Sequence, residues 1–167
     1  MKEATLVIIK PDGVRKRIVG DIFNMLEKAN LDIVGIRMVK ATRQLIEEHY
    51  KHIKGKPFFE DVVYYLLGKF HKQDKLILII LYGPQAIRKC REIAGATNPK
   101  EAPPNSIRGA FGRITSQGLF ENVVHVSSDA LEAEREIKLW FDPDNIAIDL
   151  YPTKIKKTLS TKKRVWA

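Results

Sequence analysis

TLVIIKPDG, residues 5–13, begins with five uncharged residues, ends that run on a lysine and breaks at once into Pro-Asp-Gly. Alternation of polar and apolar residues marks a strand with one wet face, whereas an unbroken apolar run marks one buried on both. The stretch therefore reads as a central strand. Lys10 becomes a charge at the mouth of the core, where Pro11, Asp12 and Gly13 turn the chain. LILIIL at 76–81 has the same character. Two further short runs, 33–39 and 122–126, complete a set of four strands.

Helical spacing separates these strands. Ile22, Phe23, Leu26 and Ala29 share one stripe, as do Leu45, Ile46, His49 and Ile53, and further helices are predicted over 58–67, 85–94 and 131–141. In the last of these Ala133, Ile137 and Trp140 fall together. The order β, α, β, two helices, β, α, β, α predicts an α+β fold, a ferredoxin-like sandwich with a four-stranded antiparallel sheet covered by helices on one face. Between Gly95 and Gly118 the prolines and glycines leave little periodicity, so that segment reads as one long irregular loop. Arg108 and Arg113 within it make it a candidate anion-binding loop.

A chain of 167 residues suits one domain, assigned to residues 1–153, with a basic tail at 154–167. The net charge is +9, but KIKKTLSTKKRVWA at the end holds six basic and no acidic side chains. The excess is thus a property of the tail, and nucleic-acid contact is disfavoured except through it. No apolar run approaches a membrane span, and MKEATLVIIKPDG lacks the order of a signal peptide, so no membrane partner and a cytoplasmic location are expected. The single cysteine, Cys90, agrees with a reducing compartment.

Neither GxxxxGK[ST] nor GxGxxG occurs, so any phosphate must be held by side chains. Lys10, Arg91 and Arg108 are the candidates, each standing where a strand or helix meets a loop. NVVHVSSDALEAEREI, 122–137, places His125 at the end of an apolar run, before helix-capping serines and an acidic helix. The residues alone leave open a buried ring, a metal ligand, a pH switch and a nucleophile. His49 and His52 are expected on a helix face without a third metal ligand, and His71, in KFHKQDK, is expected to face water.

Five segments, IIKPDGV, HYKHIKGKPFF, REIAGATNP, SIRGAFG and NVVHVSSDALEAEREIKLWF, resemble in order and spacing the signature segments of nucleoside diphosphate kinases. The resemblance spans residues 3–142. It implies the ferredoxin-like fold and transfer of the γ-phosphoryl group of a nucleoside triphosphate, typically ATP, to a nucleoside diphosphate through a phosphohistidine. On that resemblance His125 is the phosphorylated residue, Glu136 orients it and Ser127 bonds the glutamate. Tyr50, Arg91, Thr97 and Arg108 match the phosphate-contacting set, and Lys10 and Asn122 the residues at the sugar hydroxyls and transferring phosphate. Phe58 matches the aromatic on which the base stacks, with Val62 beneath it, which implies broad base tolerance. Mg2+ is expected on the nucleotide phosphates rather than on a protein site. The family is typically hexameric or tetrameric, so a homo-oligomer is expected.

The chain departs from the family pattern at Ala110, where aspartate usually follows IRG, and at Asn105, Ser128, Lys16 and Arg17. Two segments, 68–75 and 113–121, are longer than in compact members. A binding module built on the same sheet and the basic tail is the competing reading, but RGAFGRI matches the RNA-recognition octapeptide only at Arg108 and Gly109. A catalytically silent family member is the third, disfavoured by the intact site positions.

Overall fold

The computed structural model describes residues 2–155. β1 (Lys2–Ile9) runs antiparallel to β3 (Lys75–Pro84), which pairs antiparallel with β2 (Asp32–Lys40). On its other side β1 pairs with the short β6 (Val124–Val126), bringing Ile8 opposite His125. The order β2-β3-β1-β6 puts the two apolar runs in the middle of the sheet, as the sequence requires, and makes the sandwich ferredoxin-like.

Helices cover both faces of this sheet, not one. Leu6 and Ile8 of β1, with Leu76, Leu78 and Ile80 of β3, pack beneath α3 (Arg43–His49), α4 (Phe59–Leu66) and α7 (Ala130–Trp140). Val7 and Ile9, with Ile77, Ile79 and Leu81, pack beneath α2 (Val19–Glu27) and α5 (Ala86–Ala94). Successive strand residues point to opposite faces, so an unbroken apolar run demands a core on each side. Each fully buried Leu or Ile contributes roughly 1.5–3 kcal/mol, enough to hold a four-stranded sheet without a disulfide. Cys90, the one cysteine, is buried and free in the α5 side of this core.

The segment after Gly95 is more ordered than its composition suggests. It contains α6 (Ile107–Phe111), capped by Ser106, whose Oγ accepts the Gly109 N–H at 3.2 Å. A two-residue hairpin follows, β4 (Arg113–Ile114) with β5 (Phe120–Glu121). Glycine is obligatory at 109, since a Cβ there lies 2.0 Å from the Pro103 carbonyl oxygen. α1 (Pro11–Arg15) is a single turn begun by Pro11.

The two longer segments meet each other. Glu121 of the hairpin pairs with Arg113 and lies 3.7 Å from His71 of the connector, whose ring packs edge-on to Tyr65. His71 therefore does not face water; its side chain is 9% exposed. Arg113, Glu121 and His71, with Asp12, Lys16 and Phe70, line a cavity of about 480 Å3. No helix among the described residues is long and apolar enough to cross a membrane.

Candidate active site

β6 presents His125 to the face of the sheet covered by α7. Val124 and Val126 bury themselves in the opposite core, so alternation along the strand leaves His125 pointing towards α3 and α7. Just upstream Val123 has φ +67°, a left-handed conformation that strains a β-branched residue. The strain is held by two backbone bonds, Lys10 N–H to Val123 O at 2.8 Å and Val124 N–H to Asn122 O at 2.7 Å. They tie the end of β1 to the start of β6 and set Lys10, Asn122 and His125 at one end of the sheet. A valine carries no signal for such a turn, so sequence reading passes over it.

Glu136 returns to the ring from the second turn of α7. The Asp129 carboxylate caps that helix by accepting the Glu132 N–H at 2.9 Å. Ser127 and Ser128, equally suitable caps, do not take this role; Ser127 is used elsewhere. Its Oγ donates to Glu136 Oε2 at 2.6 Å and accepts the Leu6 N–H at 3.1 Å. The other oxygen, Oε1, is 2.9 Å from Nε2 of His125. Burial holds the His125 pKa well below the ordinary histidine value, and the positive fields of Lys10 and Arg108 add to the effect. The ring is neutral at physiological pH. With Nε2–H given to the carboxylate, the lone pair resides on Nδ1. Burial pushes the Glu136 carboxyl upward, opposed by His49 and by the Ser127 hydrogen bond.

The cationic groups surround this ring. Lys10 Nζ donates to Asn122 Oδ1 at 2.6 Å, and Asn122 Nδ2 donates to the Thr97 carbonyl at 2.9 Å. The ammonium sits 5.3 Å above the Tyr65 ring, and burial, then Arg108, draws its pKa down to about 7. Arg108 is itself largely buried, donating to the carbonyls of Gly95 at 2.7 Å and Val124 at 3.1 Å, while its Nε has no partner. Arg91 stands exposed on α5. Tyr50 lies edge-on to His125 with ring centroids 5.9 Å apart, and burial pushes its phenol upward. Phe58 is 51% exposed at the start of α4, with Val62 one turn further on. Among the hydrogen bonds and ring contacts of the described residues, none joins Phe58, Val62 or Arg91 to the His125 network.

Sequence reading gave no role in the site to four residues. His49 is fully buried against His125, with centroids 4.5 Å apart. Trp140 bonds it, and Asp12 accepts the Tyr65 hydroxyl at 2.6 Å below Lys10. For His49 the signal was present, since it shares a stripe with Ile46 on the apolar side of its helix. The donor atoms of His49, His125 and Glu136 lie within 4.8 Å of one another, although spacing along the chain had suggested no third ligand.

Over residues 3–146 the chain matches the family model described as nucleoside diphosphate kinase. The chain belongs to the nucleoside diphosphate kinase family. A nucleoside diphosphate kinase of Pyrococcus furiosus is 42% identical over 144 residues, 86% of each chain. One of Methanocaldococcus jannaschii is 38% identical, covering 87% of this kinase and 98% of the relative. Among solved structures, the Halobacterium salinarum nucleoside diphosphate kinase in complex with CDP superposes with a TM-score of 0.79 at 34% identity, covering 89% of this kinase and 93% of that one. The Borrelia burgdorferi enzyme, a transition-state mimic with bound vanadate and ADP, gives 0.77 at 30% identity, over 87% and 90% of the two chains. The kinase thus shares its fold with nucleotide-bound relatives along nearly its whole described length.

Proposed function

We propose that this chain transfers the γ-phosphoryl group of a nucleoside triphosphate, typically ATP, to a nucleoside diphosphate in two half-reactions through His125. The observation that carries the reading is the bond from His125 Nε2 to Glu136, because it leaves Nδ1 as the nucleophile. In the first half-reaction the Nδ1 lone pair forms a bond to the γ-phosphorus. The bond from phosphorus to the bridging oxygen breaks, and its electron pair leaves with the diphosphate. No proton need move, since the ring keeps Nε2–H and its new positive charge faces Glu136. The second half-reaction is the reverse, onto a different diphosphate.

Phosphoryl transfer has a loose transition state, so the remaining side chains align and neutralise the phosphate oxygens. Lys10, Arg91, Arg108, Thr97 and Tyr50 serve that purpose, and Asn122 steers the Lys10 ammonium. Phe58, exposed and backed by Val62, offers a stacking face that every base can use, which supports broad base tolerance. Mg2+ comes as part of the nucleotide substrate. In support, the Glu136 carboxylate is engaged by Ser127 and His125, and Asp12 gives its Oδ1 to the Tyr65 hydroxyl.

Residues 1–153 form the catalytic unit and 154–167 an accessory tail, most of which lies outside the described residues. A homo-oligomer is supported by the edge strand β2, which carries Ile36 at 51% and Met38 at 60% exposure. The free, buried Cys90 fits a cytoplasmic setting. Incubation with ATP and Mg2+ should yield an acid-labile, base-stable phosphoprotein that His125→Asn does not form. Equal labelling of the variant would sink the mechanism.

A further inference from the structure

His49 has a proton whose position can be deduced. The indole Nε1–H of Trp140 donates to His49 Nδ1 at 3.0 Å. An indole nitrogen can only donate, so Nδ1 must offer its lone pair. That excludes the imidazolium and excludes the tautomer protonated on Nδ1; the single ring proton sits on Nε2. Burial, which also holds the His49 pKa well below the ordinary value, agrees. Nε2 is buried and has no hydrogen-bond partner. It faces Glu136 Oε1 at 3.7 Å, the same oxygen that His125 Nε2 approaches to 2.9 Å.

Two histidines and a carboxylate are a donor set that zinc accepts, and their donor atoms lie close enough together. Trp140 forbids it. For Nε2 to ligate a metal as neutral imidazole, the proton must move to Nδ1, where it would oppose the indole N–H. The same indole that rules out a ligand creates a donor.

We infer that His49 is a positioning residue for phosphoryl transfer, its Nε2–H, locked by Trp140, steadying Glu136 Oε1 so that His125 presents Nδ1 to the phosphate. This rests on the kinase reading given above. The second donor matters most after the phosphoryl group has arrived. If the cationic ring then lost Nε2–H to Glu136, it would become a poorer leaving group, and return of the phosphoryl group to a diphosphate would slow. A further N–H group whose nitrogen lies 3.7 Å from Oε1, longer than a hydrogen bond, favours the ionised carboxylate through its dipole and keeps the proton on His125.

The decisive measurement needs no variant. In long-range 1H–15N spectra of the histidine-labelled protein, His49 should show an unprotonated Nδ1 and a protonated Nε2; the opposite tautomer would overturn the inference. Loss of a donor to a charged group predicts that His49→Phe, which keeps the edge-on packing, lowers kcat by about tenfold with KM little changed. His49→Gln, whose amide N–H can reach Glu136, should recover most of that loss. Trp140→Phe should acquire zinc inhibition, reversed by chelator, that the parent lacks. Equal kcat in His49→Phe and the parent, or zinc inhibition of both the parent and Trp140→Phe, would refute the assignment. If the parent takes up no phosphate from ATP, the kinase reading fails instead, and the tautomer spectrum still reports on His49.

Discussion

Burial sets the charge of Lys10 before any nucleotide arrives. Its pKa of about 7 lies far below the usual 10.5, so near neutral pH the empty site holds a mixture of ammonium and amine. Phosphate oxygens bind only the ammonium. Above pH 7 nucleotide binding must therefore take up a proton, and affinity should fall as pH rises through that value. Calorimetry in buffers of different ionisation enthalpy should register uptake approaching about one proton per nucleotide near pH 8, declining towards zero below about pH 6. Absence of any buffer dependence would show that Lys10 stays charged. At this scale the sequence was legible for His125 through its resemblance to a family; spacing permitted the bond to Glu136 without requiring it. Arg91 and Arg108, alike in sequence, differ in the fold. Arg91 is exposed, so its loss should act on turnover alone, whereas Arg108 also holds the Gly95 and Val124 carbonyls and its loss must disturb the loop.

Elements carry these residues, and α7 is the one whose start decides where Glu136 falls. Asp129→Ala removes the side chain that accepts the Glu132 N–H, at a cost of about 1 kcal/mol. A melting temperature lower by about 2–4 °C is the expected result; an unchanged value would mean that Ser128 or water replaces the cap. Strands and long helices were legible because their apolar periods are long enough to count. α6 was not, since five residues complete little more than one turn, and it depends on the Ser106 cap and on the absence of a Cβ at Gly109, where the Pro103 carbonyl packs. The hairpin at 113–121 was hidden for a related reason: its strands are two residues long and are held by Arg113 and Glu121, whose pairing no local pattern announces. The single-face sheet was an error of architecture. The doubly apolar reading of 5–9 and 76–81 already required two cores, and four strands with five helices can fill both.

For the molecule as a whole, the sheet ends on opposite sides in different ways. β6 is short and carries His125, while β2 is long and exposes Ile36 and Met38. Placing a charge on that edge by Met38→Lys should reduce the mass measured by light scattering; an unchanged mass would assign self-association to another surface. Removal of 154–167 is expected to leave turnover intact, because the described network closes without those residues. A coupled assay with several diphosphate acceptors checks that expectation and base tolerance together.

β1 also has a history during synthesis. It leaves the ribosome before both of its partners, 75–84 and 124–126, the latter encoded near the end of the domain. Contacts so distant in sequence form slowly and late. A growing chain thus carries the apolar segment at 5–9 unpaired through most of its translation, exposed to association with other nascent chains. This end of the sheet closes only when β6 arrives, so the last strand pairing to form during biogenesis is the one that brings His125 beside Lys10.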